Sequence, residues 1–330
     1  MSDPERPPAV DVGVVTWNTV DVTRRALTHL MSTDQGCRIR LYVRDNGSSD
    51  GTVEMISREF PGAVLDADGR NLGFGAGMNR LIERSAEGGG PWFLALNPDA
   101  WPEPGAIGRL VSSGESLATA AAVAPRIERP DGTLEHSTHP FPSVRMALLH
   151  ALGGRWWLPD KVLEREMLEG HWLHDRLRPV DWAVGAALLM RRSLLEELGG
   201  FDERFFMYAE DLEWCWRVHR AGYDVLFEPD ARFVHVGNVS GAQAYGADRV
   251  WVETDSAYEF HRMAHGRVAT AVYRFLSAVA ASEMWAGARL RADHAAAGRW
   301  AAQARAHLGR FPPDVLPDLR RGRPSDEPVR

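Results

Sequence analysis

PWFLALNPDAWPEP, residues 91–104, decides how the chain is read. An apolar run, Phe93-Leu94-Ala95-Leu96, stops at Asn97-Pro98-Asp99 and enters a stretch broken by Pro102, Pro104 and Gly105. A short apolar run bounded by Pro and Gly reads as a buried strand. Asp99 then sits where that strand ends, and in open α/β sheets ligands bind at the carboxyl ends of the strands. The same string also suits a plain turn, because an Asp side chain readily bonds its own backbone. The choice rests on what the neighbouring strands end in.

Strands and helices alternate on the N-terminal side of this stretch. VDVGVVTWN (10–18), CRIRLYVRDNG (37–47) and GAVLDAD (62–68) are strand-like, whereas TRRALTHLMS (23–32), DGTVEMISREF (50–60) and GAGMNRLIERSA (75–86) have helical spacing. Such alternation predicts an α/β fold with a mostly parallel sheet flanked by helices. From about 125 to 180 the pattern loosens and becomes rich in Trp and His, as in HSTHPFP, GRWWLPD and GHWLHD. Order returns at VDWAVGAALLMRRSLLEELGGFDERFF (180–206), a buried strand and then a helix closed by Gly199-Gly200. AEDLEWCWRVHRAGY (209–223) is a second helix, and DVLFEPDARFVHVG (224–237) is a strand interrupted at Pro229. The pattern is helical from about 256 to 310, and 313–330 reads as a disordered tail.

Bulk composition narrows the class. With 330 residues, 45% hydrophobic and 25% charged, the chain suits one large domain, alone or with an appendage. A net charge of −7 argues against a nucleic-acid binder working through a global basic field. Two cysteines, Cys37 and Cys215, with no CxxC, argue against a disulfide framework or a structural zinc site and suit a reducing cytoplasm. The opening MSDPERPPAV has no apolar core of a signal peptide, and no run approaches the ~20 apolar residues of a membrane span.

NLGFGAGMNR (71–80) invites a dinucleotide reading, but G-x-G-x-x-G fails at Met78 and the segment does not follow the first strand. No GxxxxGK[ST] occurs. What remains is a set of acid- and amide-rich strand ends: Thr16-Trp17-Asn18, the run from Asp45-Asn46 to Gly51, Asn71 and Asn79 around the glycines that include Gly73, and Asn97 with Asp99. Singly these suit turns and caps. Jointly, on successive ends of one sheet, they can bond a base and ribose, and one carboxylate can hold a hard divalent cation on phosphates. Glu210-Asp211, with Glu213, opens a helix; such acids suit the helix dipole or supply a general base. His235 lies on a later strand and becomes a metal ligand if it faces Asp99.

In combination, VVTWN, VRDNGSSDGT, NLGFGAGMN, LALNPDA, GAALLMRRSLLEELGGFDERFFMYAEDLEWCWRVHRAGY and FEPDARFVHVG closely resemble the family 2 inverting glycosyltransferases, in their rhamnosyltransferase-like branch. The resemblance covers about residues 10–240 and implies a GT-A fold that binds a nucleoside-diphosphate sugar with Mg²⁺ or Mn²⁺. It implies that Thr16, Trp17 and Asn18 line the nucleotide, that Asp45 meets the base, and that Asn46, Asn71, Gly73 and Asn79 belong to the donor side. Asn97-Pro98-Asp99 occupies the D-x-D position, with Asn in place of the first Asp. Asp99 and His235 are then the metal ligands, Asp211 the catalytic base and Glu210 its support. On the acceptor side the resemblance places Trp182 and Gly185; Trp156, Trp157 and Trp172, on their aromatic character, suit an acceptor wall or equally the packing of an insertion.

The implied organisation is a catalytic domain over 1–255, with a donor half at about 10–125 and an acceptor half at about 126–255, then a helical extension over 256–312. Within 262–310 eight arginines face two acids, Glu283 and Asp293. Apolar Val268, Val272, Phe275, Leu276 and Val279 run there at helical spacing, which suits packing on the core, a homodimer contact or a peripheral seat on an anionic membrane. The expected reaction is transfer of a sugar, first L-rhamnose from dTDP-rhamnose, to a glycan, glycolipid or small-molecule hydroxyl. A sugar-nucleotide binder without transferase activity and a nucleotidyltransferase are the alternatives. The latter lacks support, because VVTWNTVDVTRRA has no glycine-rich triphosphate loop.

Overall fold

Alternating apolar residues carry the chain into its sheet from the first described residue. The computed structural model describes residues 9–167, 174–237 and 249–309. β1 (Ala9–Thr16), α1 (Val20–Ser32), β2 (Arg38–Asp45), α2 (Thr52–Glu59), β3 (Val64–Ala67), α3 (Phe74–Ala86) and β4 (Trp92–Leu96) follow in strict alternation. β1 pairs in parallel with β2 on one side and β4 on the other, and β3 extends the sheet beyond β2. The sequence then continues through β5 (Ala100–Pro102), α4 (Ala106–Ser116), β6 (Ala120–Glu128), β7 (Leu134–Glu135) and β8 (Thr138–His139). Next come α5 (Val144–Ala151), a 3₁₀ turn at Gly154–Trp156, α6 (Asp160–Met167), β9 (Arg178–Val180), β10 (Trp182–Ala183) and β11 (Ala187–Arg191). α7 (Arg192–Leu198), α8 (Glu210–Arg220), β12 (Asp224–His235), α9 (Arg249–Leu290) and α10 (His294–His307) complete the chain.

The main sheet has the order β3-β2-β1-β4-β11-β6-β12-β5, with β7 added to β6 and β9 to β12. It is parallel from β3 to β4 and again between β6 and β12, while β11 runs antiparallel between β4 and β6. The sheet is therefore mixed, and β11 returns the chain beside the end of β4, where Ala187 faces Leu96.

The chain forms two compact units. Among described residues the first comprises 9–139, 174–206 and 210–237 and holds the whole main sheet. Its core sets Leu27 and Leu30 of α1, Met55 and Ile56 of α2, and Ile107 and Leu110 of α4 against Val10, Val12, Val14, Leu94 and Leu96. Asp11, fully buried on β1, is held at 2.6 Å by Arg40 of β2 and at 2.6 Å by Arg192 of α7. Removing one partner of so buried a pair typically costs about 3–5 kcal/mol, so it marks one strand register against all others.

The second unit comprises 140–167, 207–209 and 249–309. The stretch 140–167, read from sequence as part of the acceptor half, falls here with α5 and α6. α9 is broken at Gly266, whose φ of 81° favours glycine. His261 Nδ1 and Thr270 Oγ1 meet at 2.9 Å across the break, and Tyr258 bonds His307 of α10 at 2.6 Å. Asp293 caps α10 by accepting from the Ala296 N–H at 2.9 Å. No helix among the described residues is long and apolar enough to cross a membrane. The tail expected at 313–330 lies outside the described residues.

Candidate active site

The ends of β1 and β2 are laced together by short polar side chains. Asp45, buried at 1% exposure, accepts from the Gly47 and Ser48 N–H groups and from the Ser48 and Thr16 hydroxyls. Asn18 adopts φ 48° and accepts from the Ser49 N–H at 2.7 Å, while its own N–H donates to Ser48 Oγ at 2.8 Å. Burial works to raise the Asp50 carboxyl, but bonds from Thr52 and Val20 hold it below its usual range. Thr16, Asn18 and Asp45 thus build a rigid rim, beside which half-buried Trp17 stands. Asp45, expected from the resemblance to meet the base, accepts four bonds that order the loop following β2.

A second layer fixes the glycine loop. Arg44, 1% exposed, pairs with Asp66 at 2.9 Å and with Asp68, and donates to the Arg70 carbonyl at 3.0 Å. Asn46 donates to the Gly73 carbonyl at 3.0 Å, and Asn71 accepts from the Gly73 N–H at 3.0 Å. Gly73 has φ 81°, and a Cβ there would meet the Phe206 carbonyl oxygen at 2.2 Å, so only glycine fits. Asn79 accepts from the Phe201 N–H at 2.8 Å and donates to the Phe201 carbonyl and to Glu203. Its amide braces the 201–203 loop on α3.

The end of β4 meets the end of β12. In the β5–β12 ladder Ala100 faces His235, and the Val236 N–H donates to the Asp99 carbonyl at 3.0 Å. That register brings His235 Nε2 to 3.2 Å from Asp99 Oδ1, with both side chains buried. On the other side, His235 Nδ1 lies 3.1 Å from Glu135 Oε1 of β7, which hairpin pairing with β6 brings across. Burial alone would lower the imidazole pKa, but bonds to Asp99 and Glu135 raise it to about 9. Among the described residues no three His, Cys, Asp or Glu side chains are arranged to hold a metal unaided. Two ligands fit a divalent cation that completes its shell from phosphate oxygens and water. Asp99 and His235 are the residues that would hold such a cation, His235 giving up any proton on Nε2 to do so.

Beside this pair sits a second acidic centre. The Asn97 N–H donates to the Ala186 carbonyl at 2.9 Å, and one residue earlier the Gly185 N–H donates to Asp211 Oδ2 at 2.7 Å. Asp211 Oδ1 accepts from the Leu212 N–H at 2.7 Å at the start of α8. Burial pushes the Asp211 carboxyl up, and the two N–H bonds pull it back. Neighbouring Glu210 is pushed well above its ordinary value by burial and then by Asp211, and its Oε2 is buried with no hydrogen-bond partner. Both carboxyls are raised by burial, and the Gly185 and Leu212 N–H groups favour the carboxylate form of Asp211. Trp182 of β10 stacks at 4.9 Å on His139 of β8, and His139 draws the Asp211 pKa down.

The first unit thus holds Thr16, Trp17, Asn18, Asp45, Asn46, Asn71, Gly73, Asn97, Asp99, Trp182, Gly185, Glu210, Asp211 and His235. Trp156 and Trp157 belong to the second unit, where both are exposed, and Trp172 lies outside the described residues. Glu135 and His139 escaped the sequence reading. The only signal was their place in or beside the His-rich 136–142 stretch.

A mixed sheet of this order, with a carboxylate–imidazole pair at its strand ends and a separate carboxylate at the start of α8, has the GT-A architecture. Glycosyl transferase family 2 matches residues 11–199, more than half of the chain, and the protein belongs to that family. Glycosyl transferase family 21 also matches, over residues 160–304. The N-acetylglucosaminyl-diphospho-decaprenol L-rhamnosyltransferase of Mycobacterium tuberculosis is 35% identical over 208 residues, 60% of this chain and 66% of that protein. The rhamnosyltransferase WbbL of Escherichia coli K12 is 24% identical over 230 residues, 67% of this chain and 81% of that protein. A solved structure, the mannosyltransferase PcManGT of Pyrobaculum calidifontis in complex with GDP-Man and Mn²⁺, shares the fold at TM-score 0.55 and 17% identity. That match covers 96% of this chain and 88% of the mannosyltransferase.

Proposed function

We propose that the chain is an inverting glycosyltransferase that moves L-rhamnose from dTDP-L-rhamnose to a hydroxyl of a lipid-linked glycan. The observation that carries this reading is the presence of two distinct acidic centres, Asp99 with His235 at strand ends and Asp211 with Glu210 at the start of α8, where Asp211 is tied to the Gly185 N–H. Inversion by single displacement needs one base on the acceptor side and charge compensation on the leaving-group side. The acceptor oxygen attacks the anomeric carbon, its proton passes to Asp211, and the carbon–oxygen bond to the diphosphate breaks with its electron pair. Two N–H bonds aim Asp211, leaving each oxygen a lone pair for that proton. Glu210, raised by burial and by the Asp211 charge, supports Asp211 from the adjacent position. A divalent cation, Mg²⁺ or Mn²⁺, held by Asp99 and His235 would offset the negative charge that the nucleoside diphosphate gains.

The rhamnosyl donor follows the two bacterial relatives, and a lipid-linked acceptor follows the decaprenol in the mycobacterial relative's name. The test incubates the purified protein with dTDP-L-rhamnose and with UDP- and GDP-sugars, with and without Mn²⁺, on a GlcNAc-diphospho-lipid. Metal-dependent transfer from one donor is the expected result. Metal-dependent thermal stabilisation by a nucleotide sugar with no transfer to any acceptor would favour a binding protein instead.

Glu135 belongs in this reading as the residue that orients His235. A carboxylate on Nδ1 fixes the imidazole with its Nε2 lone pair toward a metal, and loss of such a partner typically weakens metal binding about 10- to 100-fold. Glu135→Ala is expected to show that loss when Mn²⁺ is titrated in the presence of nucleoside diphosphate. Glu135→Gln, which still accepts from Nδ1–H, is expected to keep most of the affinity. Equal affinity in all three proteins would remove Glu135 from the site.

A further inference from the structure

Beyond its break at Gly266, α9 turns its large apolar side chains outward. Val268, Val272, Phe275 and Leu290 recur at helical spacing with half-buried Val279 among them. They share one face, about 33 Å long at 1.5 Å per residue. Val268 is 81% exposed, Phe275 66% and Leu290 89%. The side chains that this part of α9 buries are small: Thr270, Ala278, Ala281 and Ala288. A helix that served only to pack within its own unit would reverse that choice, because burying the larger side chain removes more apolar surface from water.

The charge pattern changes at the same break. Before it each arginine of α9 has an acid, Arg249 with Glu253 and Arg262 with Glu259. After it Arg267 and Arg289 are exposed and form no ion pair among the described residues. They stand with exposed Trp285 on one flank of the apolar face, since the three lie nearly whole turns apart. Glu283 is the one acid of α9 beyond Gly266. An apolar face edged by arginine and tryptophan suits a helix lying in a lipid–water interface. There the guanidinium groups reach anionic headgroups while their stems stay on apolar surface. A second copy of the chain fits this face less well. Two-fold pairing about Val279 would set Arg267 of each copy against Arg289 of the other, a like-charge contact at both ends.

We propose that the face of α9 from Val268 to Leu290 seats the protein on an anionic lipid surface, with the helix in the plane of the interface. Its apolar side chains enter the boundary between headgroups and acyl chains, and Arg267 and Arg289 meet lipid phosphates. The seat does not depend on sugar transfer by the first unit. The test floats the whole chain, without substrate, on vesicles of phosphatidylcholine alone and of phosphatidylcholine with phosphatidylglycerol. Two double variants probe the two parts of the pattern: Val268→Asp with Phe275→Asp, and Arg267→Glu with Arg289→Glu. All four positions are exposed, so each variant is expected to keep the wild-type melting temperature. Val268→Ser with Phe275→Ser replaces the first pair should its melting temperature fall.

The wild-type protein is expected to float with the anionic vesicles, and to bind them less as salt is raised. Each double variant is expected to lose at least about tenfold in partition onto them. Absence of wild-type flotation, or flotation unchanged in both variants, would overturn the proposal. Equal binding to the two vesicle types would overturn the assignment to anionic lipid. A wild-type protein that ignored vesicles but sedimented as a dimer, with Val268→Asp and Phe275→Asp restoring the monomer, would overturn it in favour of a second copy. Flotation that depends on both parts of the pattern would stand even if no sugar transfer were found.

Discussion

Asp211→Asn is expected to lower kcat by about 10²- to 10⁴-fold, the range of a general base, and to leave nucleotide binding intact. The amide keeps the volume of the carboxylate and still accepts one of the two N–H bonds, from Gly185 or from Leu212. What it loses is the site for the acceptor proton. The pH profile adds a second reading of the same residue. Burial raises the Asp211 pKa, so wild-type turnover should fall on the acid side at a pH above the usual aspartate range of about 3.9. As pH drops through that raised value the base protonates and activity is lost; residual activity of the amide variant should lack this limb. Glu210→Gln, which leaves Asp211 and its two N–H bonds in place, should be far milder. If Asp211→Asn turned over near the wild-type rate while Glu210→Gln was dead, the two roles would have to be exchanged.

Asp99→Asn is expected to abolish the metal dependence of nucleotide binding and to cut kcat/KM by about 10²- to 10⁴-fold. A metal ion on a leaving diphosphate contributes several kcal/mol of charge stabilisation, and each 1.36 kcal/mol is about tenfold in rate. The introduced amide would still accept a hydrogen bond from His235 Nε2, and His235 would keep Glu135, so the local fold is expected to survive. The measurement is the melting-temperature shift produced by nucleoside diphosphate with and without Mn²⁺. Wild-type protein should show a shift only with metal, about 2.7 kcal/mol at a hundredfold excess of ligand over Kd; the variant should show none. A wild-type response in the variant would take the cation away from Asp99.

The sequence made Asp99 legible for a local reason. Five apolar residues and a proline mark the end of β4, and the position of a carboxylate at a strand end needs no distant information. His235 could be placed on a strand, but its approach to Asp99 depends on the β5–β12 register, which links residues far apart in the chain. Glu135 was invisible because it reaches His235 from 100 positions away, through the β6–β7 hairpin. The types of Asp45 and Asn79 suited a nucleotide site, and their bonds to Ser48, Thr16 and Phe201 become apparent only in three dimensions. The loose 140–167 stretch was legible only as Trp-rich, and its place in the second unit follows from packing that no local pattern records.

The β5–β12 ladder is three residues long, from Phe233 facing Pro102 to His235 facing Ala100, and this brevity shapes what the gene can tolerate. One codon gained or lost between Arg232 and His235 would turn the imidazole to the opposite side of the sheet, because side chains alternate with a period of two. Upstream, the irregularity between Glu228 and Arg232 already accommodates extra backbone, so insertions there can be absorbed without moving His235. Length variation among descendants of this gene should therefore collect before Arg232 and be absent from the stretch that runs from there to His235.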